Sequence, residues 1–271
     1  DVTTGAAGTV EVGRFDLEGG DWTQLGALPD FAAADFRLSP GASFLRATGG
    51  SGTDSDPYVL ADVYGLQGME PGSGDFPRAS YALAGDIDAS GTAGWNAADG
   101  FVPIGTLEEP FDGRLDGRGA TVTGLVSRRE DASLLGRTAF ATVTDLTLAD
   151  VDLSLEIGSF AGGVASRAFE TVFEDVAVTG TISATAPDGP PSAYLGGLAG
   201  ELAGGSVTGA SFEGTVEARG PLMPFTAAGG LAGASNATIA GARATGSVTV
   251  DISAPAVVGG LVGEVASGEV P

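Results

Sequence analysis

Gly162-Gly163-Val164-Ala165-Ser166, Gly196-Gly197-Leu198-Ala199-Gly200, Gly229-Gly230-Leu231-Ala232-Gly233 and Gly259-Gly260-Leu261-Val262-Gly263 begin 34, 33 and 30 residues apart. A degenerate copy, Ser133-Leu134-Leu135-Gly136, precedes them. Self-similarity at a period of roughly 20–50 residues decides architecture before local propensity does. Downstream of the glycines come short alternating segments: Asp145-Leu146-Thr147-Leu148-Ala149-Asp150, Asp175-Val176-Ala177-Val178-Thr179-Gly180, Gly209-Ala210-Ser211-Phe212-Glu213-Gly214 and Gly241-Ala242-Arg243-Ala244-Thr245-Gly246. Their apolar residues fall at every second position, the period of a strand. Asp or Gly brackets each one, as turns require, and further strands follow at Thr181-Ile182, Thr215-Val216 and Ser247-Val248-Thr249-Val250.

One such unit has too little apolar surface to fold alone. It must lay its inward Val, Leu, Ile and Ala on the same positions of the next coil. The expected fold is therefore all-β: a right-handed parallel β-helix, or β-solenoid, with irregular early coils. The repeat-defining glycines Gly162, Gly163, Gly196, Gly197, Gly229, Gly230, Gly259 and Gly260 fit places where the backbone bends with φ > 0 or where two chains pass closely.

Working outward, the chain divides into three parts. Residues 131–271 carry the repeats, the last one truncated, and residues 61–130 form a pre-repeat β-helix segment. Residues 1–60 hold much of the aromatic content, including Phe15, Trp22, Phe31, Phe36 and Phe44, and read as irregular β coils or a cap, with a small separate sandwich as the alternative.

Composition narrows the chemistry. The chain has 46 glycines, 7 % aromatics, no Cys and no His, and 35 acidic against 12 basic residues for a net charge of -23. All twelve cations are arginines. Phosphate binding needs a basic stripe, so nucleic acid is not an expected partner. Lack of His and Cys removes the usual general base, the commonest zinc ligand, thiol nucleophiles and disulfides. No apolar run reaches the ~18 residues of a membrane span, so membrane insertion is not expected. Asp1-Val2-Thr3-Thr4-Gly5 lacks the features of a signal peptide, so export would use a signal already removed or lying outside this sequence.

Gly-Gly-Leu-x-Gly followed by a strand and a closing Gly resembles the GLUG repeat of large bacterial surface exoproteins. Upstream, Asp56-Pro57-Tyr58-Val59-Leu60, Tyr81-Ala82-Leu83-Ala84-Gly85-Asp86-Ile87-Asp88, Phe101-Val102-Pro103-Ile104-Gly105 and Phe111-Asp112-Gly113-Arg114-Leu115-Asp116-Gly117-Arg118-Gly119 are similar to the segment that commonly precedes those repeats. The resemblance covers about residues 45–265. It implies an extracellular β-helix of the filamentous-haemagglutinin-like adhesin type, exported by two-partner secretion.

Candidate chemistry is sparse, and no residue is assigned a catalytic role. Gly49-Gly50-Ser51-Gly52-Thr53-Asp54 fits the first six places of the calcium-binding nonapeptide, which makes Asp54 and Asp56 candidates for a structural calcium; an ordinary turn is the competing reading, and no other cofactor is expected. Asp86 and Asp88 would share one strand face, with Asp112 and Asp116 on a neighbouring coil. Paired carboxylates are what polysaccharide hydrolysis needs, and a lyase would use Arg114 or Arg118 beside Asp112 and Asp116. Trp22, Trp95, Tyr58, Tyr64, Tyr81 and Tyr194 would stack on sugars if exposed, or else fill the coil.

The favoured function is a structural or adhesive solenoid segment of a secreted surface protein serving attachment, aggregation or biofilm. Its partners would be a cell-surface glycan, a protein receptor or other copies of itself. The alternatives are a polysaccharide-active enzyme, an ice- or carbohydrate-binding module with a hydroxyl ladder, for which the threonines are irregularly placed, and an end-to-end polymerising filament subunit.

Overall fold

The computed structural model of the chain describes residues 8–69, 78–155, 160–185, 192–220 and 225–265. Asp1–Gly5 and positions 266–271 of the last repeat lie outside them. The described residues form a parallel β-solenoid of about six turns. In the repeat region each coil contributes to three sheets. One holds Phe160–Gly162, Ala193–Gly196, Thr226–Gly229 and Ala256–Gly259, the strands that end on the glycine pair. A second holds Leu135–Ala139, Ala165–Phe169, Ala199–Ala203, Ala232–Ser235 and Val262–Val265, the strands that leave it. The third contains the long strands Thr142–Leu155, Val172–Thr185, Ser211–Gly220 and Arg243–Ile252, and continues toward the amino end through Arg114–Asp116, Ser80–Leu83 and Tyr58–Leu60.

The repeats seen in the sequence stack position on position. Gly162 pairs with Gly196, Gly196 with Gly229 and Gly229 with Gly259, while Ala165, Ala199, Ala232 and Val262 form the next column. Inward columns in the long-strand sheet run Val143, Phe173, Val207, Ile239 and Leu148, Val178, Phe212, Ala244. Nearly all of these are closed to solvent until the last coil, where Ile239 and Ala244 are only partly covered. Each buried coil supplies the apolar floor for the next, which is why no single repeat is stable by itself.

One expectation is corrected. Several Asp and Gly residues taken as strand ends lie inside strands: Asp145 and Asp150 within Thr142–Leu155, and Asp175 and Gly180 within Val172–Thr185. They bend the strand without ending it. Asp145, Asp150 and Asp175 have φ of 51°, 53° and 53°, a region Asp tolerates better than most residues. Between Leu148 and Val151 the ladder slips by one residue, a bulge centred on Asp150.

The early coils are tighter. Thr9–Leu17 pairs in parallel with Asp30–Leu38, and Gly20–Leu25 with Ala42–Ala47, so Thr9 lies against Asp30 and Gly20 against Ala42. This is a coil of 21 to 22 residues built on two sheets separate from the main ladders. Its interior is aromatic: Phe15 stacks on Phe36 at 5.2 Å, Phe36 meets Phe44 edge-on at 5.2 Å, and Trp95 reaches Phe36 at 5.0 Å from a later turn. Residues from both regions belong to one continuous apolar core.

Candidate functional site

The glycine pairs occupy close approaches, not positive-φ bends. None of the eight repeat-defining glycines has φ in the left-handed range. A Cβ on Gly197 would lie 2.1 Å from Cγ of Phe212 and 2.4 Å from the carbonyl oxygen of Gly230 in the next coil. The second glycine is thus the floor beneath the residue projecting from the opposite wall, which is Val178 over Gly163, Phe212 over Gly197 and Ala244 over Gly230.

The loop proposed for calcium is a closed turn. Thr53 and Asp56 form an antiparallel bridge, Ser51 N donates to Asp56 O at 2.9 Å, and Asp54 Oδ1 accepts the Ser80 hydroxyl. Among the described residues no group of three or more acidic side chains is arranged to hold a metal ion.

The carboxylates considered for polysaccharide cleavage mostly hold backbone. Asp86 Oδ1 accepts from Thr121 N at 2.8 Å, Asp88 Oδ1 from Ser90 N at 2.9 Å, and Asp116 Oδ1 from Arg118 N at 2.9 Å. The Ser90 hydroxyl and N–H hold the Asp88 carboxyl below its ordinary pKa, the direction expected of a carboxylate stabilised in its charged form. Asp112 faces Arg78 at 3.4 Å, and its buried Oδ1 has no hydrogen-bond partner. Arg114 donates to the Thr144 hydroxyl at 3.2 Å.

Trp95 and Tyr81 are fully buried, and burial raises the Tyr81 hydroxyl pKa far above its ordinary value. The Tyr64 hydroxyl accepts from Ala33 N at 2.8 Å. Tyr194 stacks on Phe160 at 5.1 Å, and the guanidiniums of Arg137 and Arg167 stand over the Phe160 ring at 5.6 and 5.3 Å. Thr181 and Thr215 do pair in register, followed by Ser247, which gives a short hydroxyl row.

Sequence reading passed over one concave feature, a cleft of about 660 Å³ between residues 99–108 and residues 128–137. Three of the twelve arginines, Arg128, Arg129 and Arg137, line it. Arg137 Nε donates to Asp131 Oδ2 at 2.9 Å. Arg128 Nη2 reaches Asp152 at 3.2 Å. Arg129 is the least engaged: its Nη2 is 3.7 Å from Asp99, and its buried Nε has no partner. The available signal was the Arg128-Arg129 dipeptide, the one place in the sequence where two cations adjoin.

Residues 192–217 match the GLUG motif, a window that contains the Gly196-Gly197 pair, Phe212 and most of the strand Ser211–Gly220. Over 133 residues, 42 % of this chain, the sequence is 36 % identical to Halomucin of Haloquadratum walsbyi (strain DSM 16790 / HBSQ001), and the matched stretch spans 1 % of that protein. No solved structure matches the chain.

Proposed function

We propose that the chain is a rigid, adhesive solenoid segment of a secreted surface protein, serving attachment between a cell surface and its surroundings. The observation that carries this reading is the in-register column Gly162, Gly196, Gly229 and Gly259. It makes a rod whose length grows by one strand spacing, about 4.8 Å, per repeat. Such a rod sets its exposed turns at a fixed pitch, so that individually weak contacts act together. The GLUG match and the likeness to Halomucin support a surface setting. The filamentous-haemagglutinin-like role and the two-partner export route that the sequence resemblance implies belong to the same proposal. The polysaccharide-cleaving alternative is less well supported, because Asp86, Asp88 and Asp116 each cap a backbone N–H.

Antibodies against the chain should label intact cells of the source organism, and added protease should remove the label. Labelling confined to permeabilised cells would overturn the surface reading. Loss of cell attachment on deletion of the coding segment, restored by its return, would support the adhesive part.

A further inference from the structure

We propose that the cleft between 99–108 and 128–137 binds a carboxylate-bearing sugar, a uronic acid unit of an acidic glycan, with Arg129 as its principal contact. This deepens the surface-attachment reading above by naming a ligand class and a place for it.

Three of the chain's twelve arginines stand around one cleft of a molecule whose net charge is -23, a local concentration of positive charge set among Asp99, Glu108, Glu130 and Asp131. Ion pairing inside the protein does not use all of their capacity. Arg137 is committed to Asp131, but the buried Arg129 Nε is unpartnered and its nearest carboxylate is 3.7 Å away. The Arg129 side chain is 30 % exposed, its weak pairing leaves the guanidinium free to take another acceptor, and a planar carboxylate presents two oxygens in the geometry that a guanidinium accepts.

The wall is also held in place. Asp131 sits at φ 58°, and its carboxylate grips Arg137 through both Nε and Nη2. Arg137 is braced from behind by the Phe160 ring. A non-glycine residue kept in the left-handed region by its contacts is a feature seen at ligand clamps. Arg128 stands at the rim with a third of its side chain exposed.

Size and lining then point to a sugar and away from a bare ion. A volume of about 660 Å³ is within the range of small-molecule sites. Exposed Glu108 and Glu130 stand ready to accept sugar hydroxyls, while Pro103 and the exposed Leu107 supply an apolar surface for C–H groups. A bare anion would meet only repulsion from those two glutamates, whereas a polyol carrying one carboxylate has a use for both kinds of group.

The test is titration calorimetry on the purified chain at moderate salt, with a galacturonic acid trisaccharide, the neutral galactose trisaccharide and sodium sulfate as separate titrants. Wild type should bind the acidic trisaccharide at least tenfold more tightly than either of the others. Arg129→Gln should lose at least tenfold with an unchanged melting temperature, and Arg219→Gln, at an exposed position of Ser211–Gly220 outside the cleft, should match wild type. If Arg129→Gln does not fold, Arg128→Gln at the rim carries the test with an expected several-fold loss. Equal binding of neutral and acidic sugars, sulfate binding as tight as the trisaccharide, or an unaffected cleft variant would each overturn the assignment. These outcomes are read on purified protein, so they are independent of whether the chain labels intact cells.

Discussion

The ring of Phe212 occupies the space that a side chain on Gly197 would need, with only 2.1 Å between the ring Cγ and a Cβ built on the glycine. Size at one wall of the solenoid is therefore matched by absence at the other. Gly197→Ala forces either the ring or the neighbouring backbone at Gly230 to move, and overpacking of this kind costs about 1–3 kcal/mol or more. Gly260, the same repeat position in the last described coil, has nothing within 4 Å of its built Cβ, so Gly260→Ala should fall within about 0.5 kcal/mol of wild type. Phe212→Ala alone should cost about 3–5 kcal/mol, and adding Gly197→Ala to it should cost less than Gly197→Ala does in wild type. Urea unfolding of the four variants gives the coupling; strict additivity would show that the two sites do not compete for one volume.

Because Ala199 and Ala232 are register partners, excising residues 199–231 joins Leu198 to Ala232 at an equivalent point of the next coil. The shortened chain should fold cooperatively and be shorter by about one strand spacing, roughly 4.8 Å, in small-angle scattering. Removing half as many residues from the same start should abolish cooperative unfolding, since it places inward residues on the outside. A half-coil deletion that folds as well as the full-coil deletion would contradict the one-coil-per-repeat assignment.

The parts of this fold legible in sequence were those repeated at a constant spacing. Glycine pairs recur because Gly163, Gly197 and Gly230 each lie under a wall residue of their own coil and against the backbone of the next, so the same steric demand returns at every internal turn. The early coils obey a demand of another kind. Phe15 pairs with Phe36 and Trp22 with Phe44, a period of 21 to 22 residues marked by aromatic bulk in a region whose glycine pairs, Gly19-Gly20 and Gly49-Gly50, do not open the Gly-Gly-Leu-x-Gly pattern, and two turns are too few to announce a period. Trp95 joining Phe36 depends on a contact across some sixty residues that no local pattern encodes. The cleft was hidden for the same reason: Asp99 and Arg129 become neighbours only because one coil lies on another.

Asp35 ties those early coils to the rest. Its Oδ1 accepts from Asn96 N at 2.7 Å, and its Oδ2 accepts from Arg37 Nε at 2.9 Å. The hydrogen bond from Arg37, and after it those from the Asn96 and Ala97 backbone, hold the carboxyl below its ordinary pKa despite burial pushing the other way. A folded-state pKa below the unfolded value means stability that is present above the unfolded pKa, near 3.8, and lost as the pH falls through the folded one. Asp35→Asn should therefore be less stable than wild type at pH 7 by about 1–2 kcal/mol, with the difference shrinking below pH 4. A difference that stays constant from pH 7 to pH 3 would show that the charge on Asp35 plays no part.

Asp145 and Asp175 occupy the same corner of consecutive coils, since Thr144 pairs with Glu174 and Leu146 with Val176 on either side of them. Adjacent strands are about 4.8 Å apart, so two like charges are held close by the ladder itself, on a molecule whose net charge is already -23. Such repulsion falls as the screening length contracts from about 30 Å at 0.01 M salt to about 3 Å at 1 M. The melting temperature should rise over that range by roughly 4–8 °C, corresponding to about 2 kcal/mol of relieved repulsion. Asp175→Asn should raise it at low salt and have little effect at high salt. Calcium and magnesium at matched ionic strength should act alike, because Asp54 is already engaged with Ser80 and the described residues hold no three-carboxylate cluster. A melting temperature indifferent to salt would refute the repulsion argument, and a shift specific to calcium would return the 49–56 loop to consideration as an ion site.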